Sequence, residues 1–192
     1  MPVTPRAWDY AWLKLCAMAL LVLGRRSAAE AVFDRLLSRF PDDAYALASR
    51  AHLRAEGGQT MPAVEDAQRL VDLHPGRRAA DWFNLGFLRD RLGEHEAAEA
   101  AFRQALVLEP KLDRAWYGLA LTFIQQGRLD DAVAALKKNT ELQPLSPFGW
   151  YQLARVHANR HEAEKARRII AHLKNFEPKV AAQLERETGL AA

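Results

Sequence analysis

Any chemistry performed by this chain must come from a small set of residues. His157 and His161 stand four apart, a spacing that can place two imidazoles on one helical face around a metal ion. No Glu-x-x-His context and no cysteine pair accompanies them, and His161 falls where a turn is predicted, so no metal site is expected. Asp130 and Asp131 read as acidic residues at a helix N-terminus, where the helix dipole favours them. Cys16, the single cysteine, follows Leu13 by three positions and reads as a small packing residue rather than a nucleophile. Gly57 and Gly58 lack the lysine and the preceding strand that a phosphate-binding loop requires. With no paired acid, base or nucleophile, no catalytic residue and no cofactor is assigned, and the chain is not expected to be an enzyme.

Composition narrows the remaining classes. The 192 residues are 49% hydrophobic and 27% charged, an ordinary globular balance. A net charge of +3 is far from a nucleic-acid footprint, which gathers basic residues on one face. One cysteine excludes an intramolecular disulfide framework and is compatible with the cytoplasm, the expected location. The apolar run 15–23 is too short to span a bilayer as a helix. It is also a poor signal segment, because Lys14 precedes it and Arg25 and Arg26 follow in place of a small-residue cleavage site. It reads as a packed helix.

The elements that position these residues repeat. Trp82, Leu85, Gly93, Ala98 and Pro110 recur as Trp116, Leu119, Gly127, Ala132 and Pro144, each 34 residues on. Prolines at 41, 75, 110, 144 and 178 extend the period in both directions, at spacings of 34, 35, 34 and 34. Proline cannot continue a helix, so each one closes a unit and opens the link to the next. The pattern W-x2-L-G…A-x3-F…P at this period resembles the tetratricopeptide repeat, a helix-turn-helix unit. The resemblance covers nearly the whole chain. It implies an all-α, right-handed superhelical solenoid of antiparallel helix pairs, forming one domain over 1–192. The repeats fall at about 10–43, 44–78, 79–112, 113–146 and 147–180, with a capping helix over 180–189.

The copies differ in quality. The first opens with Thr4 as helix cap and Pro5 at the first helical position, and has Leu13 in place of the tryptophan. Ala29, Phe33 and Leu36 occupy its second helix. In the second, Leu47 replaces the tryptophan and Arg50 the leucine, which marks it as the loosest unit. In the fifth, His161 takes the place of Gly93 and Gly127, so that turn is expected to give up glycine's freedom at positive φ. In the last helix Val180, Ala181 and Leu184 form an apolar stripe, while Gln183, Glu185, Arg186 and Glu187 face outward.

The resemblance also implies a binding surface, because the first helix of each repeat lines the concave face. Carried over residue by residue, that stripe is Lys14, Met18 and Leu21, then Tyr45, Ala48 and His52, then Phe83, Phe87 and Asp90. It continues as Arg114, Tyr117, Leu121 and Ile124, then Phe148, Tyr151 and Arg155. Spacings of three and four put each set on one helical face. Either the solenoid's own curl covers this second apolar stripe, or it is a groove for a partner. The expected partner is another protein, through a peptide or helix carrying apolar side chains and a carboxylate or acidic residue that Lys14, Arg114 and Arg155 complement. The residues that clamp heat-shock chaperone termini in some relatives are absent: after Lys14 the matching positions read Met18, Ser49, Ala80 and Asn84. The alternative is a self-associating scaffold or complex subunit, joined through the apolar first helix with Trp8, Trp12, Leu15 and Leu20. Nucleic-acid binding and a membrane span are not expected.

Overall fold

The computed structural model describes residues 5–191, with side chains from residue 8 onward; Thr4, the expected cap, lies outside them. Among the described residues there are eleven α-helices and no strand. They are α1 (Pro5–Val22), α2 (Arg26–Arg39), α3 (Ala44–Glu56), α4 (Thr60–Leu73), α5 (Ala79–Arg91), α6 (His95–Leu108), α7 (Asp113–Gln125), α8 (Leu129–Leu142), α9 (Pro147–Asn159), α10 (Ala163–Lys174) and α11 (Pro178–Thr188). Contacts divide them into two compact units, Met1–Leu92 and Gly93–Ala192.

In the first unit α1 packs on α2, α3 on α4, and α4 on α5. Its core joins Ala17 of α1 to Ala29, Phe33 and Leu36 of α2 and to Leu47 of α3, all fully buried. In the second unit α7 packs on α6 and α8, and α9 on α8, α10 and α11. Small residues permit the closest approaches. A Cβ added to Gly118 would lie 2.7 Å from the ring tip of Phe102, and one added to Gly149 would strike the side chain of Asn139.

The turns between paired helices share one conformation. Gly24, Gly58, Gly93 and Gly127 have φ of 69°, 79°, 77° and 72°. The fifth turn departs from expectation: His161 does not give up the left-handed conformation but adopts it, with φ of 59°. The turn is locked from both sides. The Glu162 N–H donates to the His157 carbonyl at 2.9 Å, as Arg25, Gln59 and Arg128 donate to Leu20, Arg54 and Phe123. That six-to-one closure of a helix end requires the left-handed residue, whatever its side chain.

The second repeat is also not loose at Arg50. Its guanidinium holds Asp66 through Nε at 2.8 Å and Nη2 at 2.6 Å, and Asp34 through Nη1 at 2.7 Å. Arg54, one turn on, reaches Asp66 at 2.9 Å and Glu30 at 2.9 Å. Asp66 is buried and fully paired, so a charged pair fills the place a leucine takes elsewhere. Burial opposes the charge on Arg50, but the hydrogen bonds to Asp66 and Asp34 outweigh it and hold its proton more tightly than usual.

Candidate functional site: the first-helix stripe

The stripe residues sit on α1, α3, α5, α7 and α9, and none of them is fully buried. In the first unit Lys14 is half-buried, with its ammonium 4.4 Å from the ring centre of Tyr45. Tyr10, one turn earlier, donates to Asp43 at 3.0 Å. Burial, and then the carboxylate of Asp43, push its phenol up to about 12. Met18 is exposed and Leu21 half-buried. His52, Phe83 and Phe87 come together around a cleft of about 360 Å³ formed by α3, α4 and α5. Ala51, Leu70 and Leu88 give that cleft an apolar wall. Glu56 and Arg91 add charge: the Glu56 carboxylate is 3.6 Å from His52, and the Arg91 guanidinium stands 6.0 Å from the Phe87 ring centre. Phe87 is 49% exposed, a large apolar side chain left facing solvent.

In the second unit the stripe meets a different environment. On α7, Arg114 is exposed, whereas Tyr117, Leu121 and Ile124 are half-buried. On α9, Phe148 is exposed, and Tyr151 donates its hydroxyl proton to Glu187 of α11 at 2.7 Å. Gln183 donates to the same Glu187 carboxylate at 2.7 Å, and the Arg155 Nε lies 4.0 Å from it. Arg155 also stands 5.5 Å from the Tyr151 ring centre. The hydrogen bond to Glu187 raises the Tyr151 phenol above its ordinary value, while that same bond and the one from Gln183 lower Glu187. Gln183 and Glu187, expected simply to face outward, are thus exposed but tied to α9. Glu185 pairs with Lys174 at 2.9 Å.

The residues weighed for chemistry scatter into structural roles. His157 is buried, and its Nδ1 bonds the Glu162 carboxylate, while His161 is exposed in the turn. Glu162 is lowered first by that bond and then by Lys165. Among the described residues, no group of three or more His, Cys, Asp or Glu side chains is placed to hold a metal ion, and no helix is long and apolar enough to cross a membrane. Cys16 is half-buried. Asp130 and Asp131 occupy the first turn of α8 as expected, with Asp130 also paired to Arg160.

Three tryptophans have a role that residue type alone does not reveal. The indoles of Trp82, Trp116 and Trp150 donate to the carbonyls of Pro75, Pro110 and Pro144 at 2.8, 2.9 and 2.8 Å. Three of the five prolines that close a repeat are therefore fastened to the next repeat's first helix. The recurring offset of six or seven residues between proline and tryptophan is the signal for it.

Solved structures of the same fold are similar over nearly the whole chain. MamA of Desulfovibrio magneticus RS-1 is 16% identical, covering 93% of this chain and 96% of that one, with a TM-score of 0.79. YrrB, described as a TPR protein with an unusual peptide-binding site, is 17% identical, covering 88% of each chain, with a TM-score of 0.78. TTC0263 of Thermus thermophilus, a thermophilic TPR protein, is 25% identical, covering 94% and 97%, with a TM-score of 0.60. No curated protein matches the chain. The tetratricopeptide repeat profile matches residues 17–78 and 83–147, about two-thirds of the sequence, and the chain belongs to the tetratricopeptide repeat family.

Proposed function

We propose that this chain is a non-catalytic protein-interaction module that binds a peptide or helix of a partner along the first-helix stripe. The repeats and the helix after them serve as one domain in this reading, as a cytoplasmic scaffold or adaptor. The carrying observation is the cleft around His52, Phe83 and Phe87, where an exposed aromatic ring stands beside an apolar wall and an arginine. Aromatic side chains and arginine are the residue types that dominate interface energetics. A peptide-binding site in YrrB, a protein of the same fold, supports the class of ligand. The test is an affinity capture comparing wild type with a Phe87→Ala, Tyr117→Ala, Arg155→Glu triple variant, both checked for helicity by circular dichroism. A partner held by wild type and lost by the variant is the expected result. A partner held equally by both sinks the reading.

A second reading is favoured by α1. Trp8, Trp12 and Leu15 are 67%, 65% and 59% exposed, whereas Leu20, expected on the same face, packs against the first unit's core; Val22, at 88% exposed, continues the helical spacing of the other three in its place. Two tryptophans so exposed present on the order of 250–300 Å² between them, given the usual size of an aromatic side chain. This supports self-association through α1. Light scattering should give a dimer mass that Trp12→Glu reduces to the monomer; a dimer that survives the substitution excludes this surface.

A further inference from the structure

The second unit carries two clefts that are the same feature one period apart. The first, about 610 Å³, lies among α6, α7 and α8 and is floored by Trp116 and Leu119. The second, about 410 Å³, lies among α8, α9 and α10 and is floored by Trp150 and Leu153. Their rims differ at equivalent positions: Asp131 and Ala134 of the first become Lys165 and Arg168 of the second, and Arg103 becomes Lys137. These floors are not the stripe. Trp116 and Tyr117 are consecutive on α7, so their side chains leave the helix about 100° apart, as do Trp150 and Tyr151 on α9.

The two rims grade from internally paired to cationic. At the first, Val107 is 72% exposed, Asp131 is committed to Arg128 at 2.7 Å, and Arg103 is paired with Glu99. At the second, Lys165 is held by Glu162 at 3.1 Å, and Glu141 is neutralised by Lys138 at 2.8 Å. Among the described residues, that leaves Lys137 and Arg168 exposed with no carboxylate partner, both lining the cleft that Trp150 floors.

We infer that these tandem clefts dock a second protein segment, separate from the occupant of the stripe. Its chemistry is apolar side chains over Trp116 and Val107, with acidic residues reaching Lys137 and Arg168. Charge complementarity selects this occupant. The uncommitted charge is cationic, the floors are aliphatic and aromatic, and a carboxylate gains a charge-assisted hydrogen bond from each cation. Two free cations are too few to hold a polyphosphate chain, whose affinity rests on many neutralised phosphates.

The test is selection of a random peptide display library on the folded full chain, followed by titration of the selected peptides against variants. The expected consensus interleaves Asp or Glu with Leu, Phe or Trp. Lys137→Glu with Arg168→Glu should weaken those peptides by at least about tenfold, and the neutral pair Lys137→Gln, Arg168→Gln by less. Phe87→Ala should bind them as wild type does, which separates this inference from the stripe reading. A consensus without acids, or peptides indifferent to both pairs, overturns the inference. So does a single-stranded oligonucleotide that binds and is lost on the charge reversal while no acidic peptide is selected.

Discussion

In the first unit His52, Phe83 and Phe87 stand around an open cleft; in the second, Tyr151 and Arg155, from the same stripe, are held by Glu187 and Gln183 of α11. The stripe positions are equivalent, so the difference comes from the neighbouring helix and not from the stripe itself. A terminal repeat leaves one face without a neighbour, and α11 covers part of it, burying Ala181 and Leu184. Covering that face also engages the adjacent stripe. The comparison teaches that a stripe residue's availability depends on the elements beside it, not on its register alone: a ligand at Tyr151 competes with Glu187 for its hydroxyl, whereas one at Phe87 meets an exposed ring.

The comparison can be broken most forcefully through the ion network that ties α2, α3 and α4 together. Arg50 and His52 share α3, and Arg50 is anchored on Asp66. Asp66→Ala leaves two arginines without their buried carboxylate, and a loss of roughly 3–5 kcal/mol is expected in urea unfolding. Closure of the difference between wild type and variant to under about 1 kcal/mol would show that the network behaves as a surface pair.

A smaller effect is expected at the turn peculiar to the second unit. His161→Gly relieves a left-handed non-glycine residue, at about 1–2 kcal/mol, less roughly 0.4–1 kcal/mol from the freer unfolded chain. The net gain is between about 0 and about 1.6 kcal/mol. Destabilisation would mean that the exposed imidazole contributes more than the strain it incurs.

The smallest effect sharpens the comparison directly. Tyr151 titrates above the ordinary phenol value, so its share of the tie to Glu187 is complete below that value and is lost as pH rises through the raised one. Glu187 titrates below the ordinary carboxyl value, so its share is complete at neutral pH and is lost as pH falls through the lowered one. Glu187→Ala should return the Tyr151 titration, followed by ultraviolet absorbance, toward the ordinary phenol range. An unchanged titration would show that α11 does not engage the stripe in solution.

Much of this was legible in the sequence, for identifiable reasons. The 34-residue period and the closing prolines located the helix pairs, because packing positions and helix stops are local properties. Phe33, Leu36, Leu119 and Ala132 were readable as core from the repeat register that the family resemblance supplies, and all are buried. The Arg50–Asp66 pairing was not readable, since it needs the facing of two helices 16 residues apart in sequence. Arg50 at a leucine position, with Arg54 one turn on and an aspartate on the next helix, is the trace it leaves. The tie of Glu187 to Tyr151 spans 36 residues and depends on how α11 lies against α9, which no periodicity specifies. The turn at His161 was misjudged because residue propensity was weighed without the backbone closure that overrides it.

The most direct measurement of the central claim is amide hydrogen exchange with and without the captured partner, read helix by helix. Binding along the stripe should slow exchange in α3 and α5, because a ligand that binds only the closed form raises the free energy of local opening. The Phe87→Ala, Tyr117→Ala, Arg155→Glu variant should lose that protection. Protection confined to α1, or to α8 and α10, with α3 and α5 exchanging as in the free chain, would contradict the account.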